Sequence, residues 1–193
     1  MQQLHNTYPR IVINHLQSWI DKREVLILYG ARQVGKTTLL KMLLENRVDA
    51  LILNCELPSI LDVLESKDIS ALEALFSGKR IIALDEAQTV NEIGKLLKLI
   101  YDEMPQYKVI ATGSSSFELT DKLTEALTGR NLKFALFPLL LQEVKWKKQW
   151  SWVLNNLNQL LIYGLYPGII DRGVSEKEAL IAGLASDYLF KDV

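Results

Sequence analysis

The chain has 193 residues, 22 basic and 23 acidic side chains, a formal net charge of −1 and 49% hydrophobic residues. That balance gives no global attraction to nucleic acid or to an anionic membrane surface, and the length suits one α/β domain with a small appendage. The single cysteine, Cys55, excludes an internal disulfide and suits a reducing compartment.

In chain order, Val12, Leu16, Trp19 and Ile20 recur at helical spacing. The run Val25-Leu26-Ile27-Leu28-Tyr29 predicts a first strand, followed by a glycine-containing loop and a helix to about Arg47. Residues 50–54 predict a second strand, with Cys55 at its end as a buried structural thiol. Pro58 opens a helix through Ser66, and Ile69, Leu72, Leu75 and Phe76 mark another before Gly78. Arg80 to Leu84 predicts a third strand ending in Asp85-Glu86, and residues 90–104 an amphipathic helix stopped before Pro105. Lys108 to Thr112 is the fourth predicted strand, Phe117 to Leu127 a helix, and Leu132 to Leu136 the fifth strand, ended by Pro138. Strands alternating with helices imply a parallel five-stranded α/β sheet sandwiched by helices, and short continuous apolar runs fit strands covered on both faces. After Leu139 the strand signals stop. The expected organisation is a core over 1–139 and an all-helical lid subdomain over 140–193.

The first residues, M-Q-Q-L-H-N-T-Y-P-R, lack the apolar centre of a signal peptide. The longest apolar stretch, 134–141, contains Pro138 and is far too short to span a bilayer. A cytoplasmic location with no membrane partner is expected. His5 and His15 have no neighbouring ligand set in sequence, so no transition-metal site is expected.

Behind the first strand, Gly30-Ala31-Arg32-Gln33-Val34-Gly35-Lys36-Thr37 has the form G-x-x-x-x-G-K-[ST]. Chance alone would give this pattern in roughly one chain in a hundred of this length, so the preceding strand and following helix carry the weight. The glycines let the backbone wrap tightly and turn its N–H groups inward, and with the next helix N-terminus they make an anion cradle. Lys36 supplies a mobile cation for the β and γ phosphates, and Thr37 a hydroxyl for Mg²⁺. Residues Gly30 to Thr38 are therefore the expected nucleotide-binding set. Arg32 and Gln33 occupy its variable positions, where solvated side chains are the bland alternative to a phosphate contact.

A strand that ends in two carboxylates delivers them to the ligand crevice of an open α/β sheet. Asp85 is expected to hold Mg²⁺ and Glu86 to orient or deprotonate the attacking water. Thr112-Gly113-Ser114-Ser115-Ser116 follows the fourth strand at the same edge. Ser114 is the first choice for a hydroxyl that senses the γ-phosphate and Thr112 the second, with helix capping the alternative for Ser115 or Ser116. Arg130, before the fifth strand, is either a finger reaching a triphosphate on a neighbouring subunit, which implies a homo-oligomer, or one half of a surface ion pair.

In the tail, Lys145-Trp146-Lys147-Lys148-Gln149-Trp150-Ser151-Trp152 is the one basic-aromatic cluster and raises nucleic acid as a partner. Trp150, Val153, Leu154, Leu157, Leu160 and Leu161 recur at helical spacing, so packing with solvated lysines is preferred. Tyr163 to Gly168 reads as a turn between helices.

The segments G-A-R-Q-V-G-K-T-T-L-L, L-D-E-A-Q, A-T-G-S-S-S-F-E-L, L-T-G-R, F-P-L with Glu143 shortly after, Y-G-L-Y-P-G-I-I and Y-L-F-K-D-V occur in that order. This resembles a prokaryotic AAA+-type ATPase family of the ASCE division whose members usually carry a further C-terminal domain. The resemblance runs from about Arg10 to Val193. It implies a sensor strand lying between the loop strand and the Asp-Glu strand, and a hinge or lid role for the Tyr163–Gly168 turn. It implies Lys36 and Thr37 on phosphate and Mg²⁺, Asp85 and Glu86 as the Walker B pair, Ser114 in the sensor region and Arg130 as the finger. Family members are usually longer, which implies a fragment ending inside Y-L-F-K-D-V. A second-sensor arginine is missing, since Arg172 alone stands in the helical part and fits poorly.

The expectation is a Mg²⁺-dependent ATP-binding protein, an ATPase that couples nucleotide state to movement of the lid or a C-terminal domain. The resemblance implies ATP rather than GTP, and the sequence has no N-K-x-D guanine motif. The rivals are a P-loop kinase acting on a small molecule and a non-catalytic nucleotide switch.

Overall fold

The structure, a computed structural model, describes residues 7–113 and 127–191, with side chains through residue 186. It comprises two compact units, residues 11–136 and the pairing of residues up to Arg10 with 137–193.

In the first unit, β1 (Val25–Tyr29), β2 (Ala50–Asn54), β3 (Ile81–Asp85), β4 (Lys108–Gly113) and β5 (Asn131–Ala135) form one sheet in the order β2-β3-β4-β1-β5. Every neighbouring pair is parallel. The strand ahead of the predicted sensor, β4, lies between the loop strand β1 and the acid strand β3, as the resemblance implied. Nearly every residue of the three inner strands is buried, whereas the edge strands β2 and β5 are partly exposed. That difference explains the unbroken apolar runs of the inner strands: helices cover both faces and leave no polar side.

The helices are α1 (Val12–Trp19), α2 (Lys36–Leu44), α3 (Pro58–Ser66), α4 (Ile69–Phe76) and α5 (Ile93–Glu103). Pro58 occupies the first turn of α3, where its missing N–H costs nothing. Asp68 caps α4 by accepting the Ala71 N–H at 2.8 Å. Helix α2 ends at Leu44 rather than Arg47, whose side chain turns back to Asp21 and Asp49. A core of Val25, Ile27, Leu64, Leu72, Phe76, Ile82, Leu84 and Leu97, among others, also takes in Cys55. Burial pushes the Cys55 thiol up to about 12, with Asp85 and Glu86 adding to the shift, so it is an inert structural thiol as expected. The predicted helix from Phe117 falls on residues 114–126, outside those described.

The second unit contains α6 (Leu141–Asn155), α7 (Leu157–Tyr163) and α8 (Val174–Lys191). Its core is Tyr8, Leu139, Val144, Val153, Leu160 and Ile170. Glu143 closes the start of α6 by accepting the Leu140 N–H at 3.0 Å, and Arg10 pairs with the same carboxylate at 3.1 Å. The Arg10 guanidinium also donates to the Phe137 carbonyl at 2.5 Å. These contacts tie the residues before α1 to the C-terminal helices.

Helical spacing puts part of this tail in the core: Val153 and Leu160 are buried with Trp152 packed beside them, whereas Trp150, Leu154, Leu157 and Leu161 are 48%, 54%, 38% and 75% exposed. Gln149 takes φ 66° and ψ 162° inside α6, and Asn156 breaks the chain again before α7. The apolar period therefore does not run through one helix. Each short piece buries only one face, through Val144, Val153 and Leu160.

Candidate functional site

The site lies at the carboxyl edge of the sheet of residues 11–136. The chain leaves β1 at Gly30, whose N–H points to the Gly113 carbonyl at 3.4 Å. A β-carbon at Gly30 would lie 2.1 Å from the Leu136 carbonyl oxygen, so the first loop position admits only glycine. Gln33 and Gly35 take left-handed backbone, with φ 60° and 97°. Val34 between them is buried and pins the loop to the core, while Arg32 and Gln33 are exposed. The loop closes into α2 when the Leu39 N–H donates to the Gly35 carbonyl at 2.8 Å. The amides at the start of α2 then face the loop with the positive end of the helix dipole.

Lys36 is only 4% exposed, and its ammonium donates to the carbonyls of Gly30 and Ala31, each at 3.0 Å. Burial lowers its pKa, and the carboxylates of Glu86 and Asp85 act the other way. Strands β1 and β3 both pair with β4, which puts the loop and the two acids at the same edge of the sheet. Thr37 is half-buried and Thr38 exposed at the start of α2.

Asp85 is the last residue of β3, and Glu86 leaves the strand in left-handed conformation with φ 56°. The neighbouring strand fixes both. The buried Thr112 hydroxyl donates to Asp85 Oδ1 at 2.5 Å and accepts the Glu86 N–H at 3.1 Å. Gln88, in the short 3₁₀ turn Ala87–Thr89, donates to Glu86 Oε2 at 2.6 Å. Thr112, the second choice for the sensor, is joined in this structure to both acids. Its single proton goes to Asp85, and it acts as the brace of the acid pair. Gln88 was visible in L-D-E-A-Q but carried no signal of its own; only the turn brings it back over Glu86.

The structure brings Gly30 to Thr38, Asp85 and Glu86 to one edge, but not Arg130. The Val25 N–H donates to the Arg130 carbonyl at 2.9 Å, which places Arg130 at the start of β1. Five residues of strand separate it from Gly30, roughly 16 Å at the usual rise. There it pairs with Asp102 at 2.8 Å and lies 5.5 Å from the Tyr101 ring centre. Arg130 thus stands away from its own chain's site, in an ion pair with Asp102. Ser114 falls outside the described residues. Arg172 pairs with Glu176 at 3.5 Å on the surface of the other unit.

The donor set suits magnesium with a polyphosphate: one hydroxyl, one carboxylate and inward amides are the hard oxygen ligands and anion donors such a pair takes. No group of three or more His, Cys, Asp or Glu that could hold a metal ion occurs among the described residues, and this mode of binding does not need one. No helix among them is long and apolar enough to cross a membrane.

A parallel sheet with β4 between the loop and acid strands, and a buried lysine in a glycine-bounded loop, defines a P-loop ATPase core of AAA+ type. The chain belongs to the AAA domain family, whose profile matches residues 22–145. At the level of that family it is a nucleotide-binding ATPase domain. The protein MJ1637 of Methanocaldococcus jannaschii is 32% identical over 134 residues, which cover 64% of this chain and 28% of that one. MJ1544 of the same organism is 25% identical over 188 residues, 89% of this chain and 42% of that one. The chain thus spans less than half the length of these curated relatives. Among solved structures, the Walker-type ATPase PABY2304 of Pyrococcus abyssi superposes with a TM-score of 0.69 at 19% identity, covering 96% of this chain and 75% of that one. The Aeropyrum pernix ORC1 protein in complex with DNA gives 0.51 at 14% identity, over 76% and 48% of the two chains. These likenesses show the fold.

Proposed function

We propose that this chain is a magnesium-dependent ATP hydrolase, converting ATP and water to ADP and phosphate. The observation that carries the reading is the acid pair, held by Thr112 on the neighbouring strand at the same sheet edge as the loop that carries Lys36. On binding, the Lys36 ammonium turns from the Gly30 and Ala31 carbonyls to the β and γ phosphates, and the loop amides hold the remaining oxygens. Thr37 and Asp85 would hold magnesium, which when bound would neutralise charge on the phosphates. Glu86 accepts a proton from water as its oxygen attacks the γ-phosphorus, and the bond to the ADP oxygen breaks. Ser114 is proposed as the γ-phosphate sensor on sequence grounds. Arg130 serves as a finger only if a second copy presents its own nucleotide there and the Asp102 pair opens. Nucleotide state is then passed to the C-terminal helical segment.

Glu86→Gln is expected to keep ATP affinity while lowering hydrolysis by at least ~100-fold, as loss of a positioned base does. Unchanged turnover in that variant would remove Glu86 from the mechanism. Product analysis separates the rival reaction: ADP with free phosphate fits hydrolysis, and a phosphorylated small molecule fits a kinase.

A further inference from the structure

We propose that Gln88 is a positioning residue for the Glu86 carboxylate, orienting it toward the attacking water. This rests on the reading of Glu86 as the base. Hydrogen bonds with Thr112, Thr89 and Gln88 converge on that residue. The Thr112 hydroxyl accepts its N–H at 3.1 Å, the Thr89 hydroxyl donates to its carbonyl at 2.9 Å, and the Gln88 amide donates to Oε2 at 2.6 Å. The first two lock the backbone on both sides of a left-handed residue, a conformation that costs a glutamate about 1–2 kcal/mol unless its surroundings hold it. They leave the side-chain torsions of Glu86 undetermined. A contact at the carboxylate itself selects an orientation, and the Gln88 amide makes such a contact.

The geometry of the turn makes Gln88 suited to this. Ala87 and Val90 on either side of it are 0% and 2% exposed and belong to the main core. Their burial fixes the turn, so the half-buried Gln88 is carried back over Glu86 rather than left to swing in solvent. An amide donor also fixes one oxygen without cancelling the carboxylate's charge, as a lysine or arginine in that place would. Asn54, which ends β2 beside Asp85, is engaged elsewhere, its side-chain oxygen accepting the Glu56 N–H at 3.0 Å.

Two measurements test the proposal. In the nucleotide-free chain, the Gln88 side-chain amide proton resonances, assigned by their loss in Gln88→Ala, are expected to shift in Glu86→Ala. If they stay in place, the contact is absent and the proposal fails with no ATP involved. In steady-state hydrolysis, Gln88→Ala is expected to lower kcat about tenfold or more while KM and the calorimetric Kd for ATP stay within about twofold, the signature of lost orientation rather than lost binding. Gln88→Glu, which keeps the shape but donates no proton, should fall as far. Wild-type kcat in Gln88→Glu would make the role one of packing and overturn the proposal. An active wild type indifferent to Gln88→Ala sinks the proposal alone. A wild type that binds ATP without turnover sinks the hydrolase reading, and this inference with it.

Discussion

Two lysines are buried at opposite ends of the same sheet, and each is held by two backbone carbonyls. Lys36 donates to Gly30 and Ala31 at the carboxyl edge; Lys108 donates to Lys22, at 2.7 Å, and to Glu24 at the amino edge. Both are 4% exposed, and burial lowers the pKa of both, that of Lys108 to about 8. Burial and a lowered pKa therefore do not make a binding site. The surroundings differ. Around Lys36 are the left-handed loop, the start of α2 and an acid pair braced by a hydroxyl and an amide, neutral groups that leave negative charge for a cation. Near Lys108, arginines answer aspartates: Asp21 and Asp49 are each bound by both Arg47 and Arg80, and Asp102 by Arg130. Charges that satisfy one another hold an edge together. Charges held by neutral partners stay available to a polyphosphate and its metal.

The largest test of this contrast is Lys36→Ala. It is expected to abolish the calorimetric heat with ATP in millimolar magnesium and the nucleotide-dependent rise in Tm, while the unliganded protein stays folded. A retained nucleotide-dependent rise would take the cradle out of the account. Gly30→Ala comes next. Its β-carbon meets the Leu136 carbonyl oxygen at 2.1 Å, and overpacking of this kind costs about 1–3 kcal/mol, read as a lower urea midpoint. A midpoint equal to wild type would mean that the end of β5 yields freely.

The smallest effect sharpens the other side. Lys108→Met should leave ATP affinity unchanged and alter only the pH dependence of stability. With the folded pKa near 8 and the unfolded value at 10.5, the unfolded chain keeps a proton that the folded chain has released between those pH values. Stability from this group therefore rises with pH across that window, and below pH 8 the cost of the buried charge is felt in full. The wild-type Tm should gain on the variant from pH 8 toward 10 by a few degrees. Parallel profiles would refute the depressed pKa.

Much of this molecule was readable as local pattern. The loop, its strand and its helix were visible because a phosphate cradle needs particular residues within eight positions, and Gly30, Gly35, Lys36 and Thr37 meet that need. The five strands were visible because the inner ones are buried on both faces and so are apolar without a break. The tail was legible only in part: helical periodicity marks Trp150 to Leu161 alike, but Asn156 breaks the helix and only Val153 and Leu160 of that set are buried.

What no local pattern contained was the partner of each polar group. Thr112 meets Asp85 across 27 residues only because β4 pairs with β3 in the observed register. Arg10 meets Glu143 and Phe137 only because the segment before α1 joins the C-terminal helices. Periodicity, turn chemistry and the loop's spacing act over a few residues and are written in the amino-acid order. Which hydroxyl braces which carboxylate depends on strand order and register, and those are set by how the whole chain buries its apolar faces.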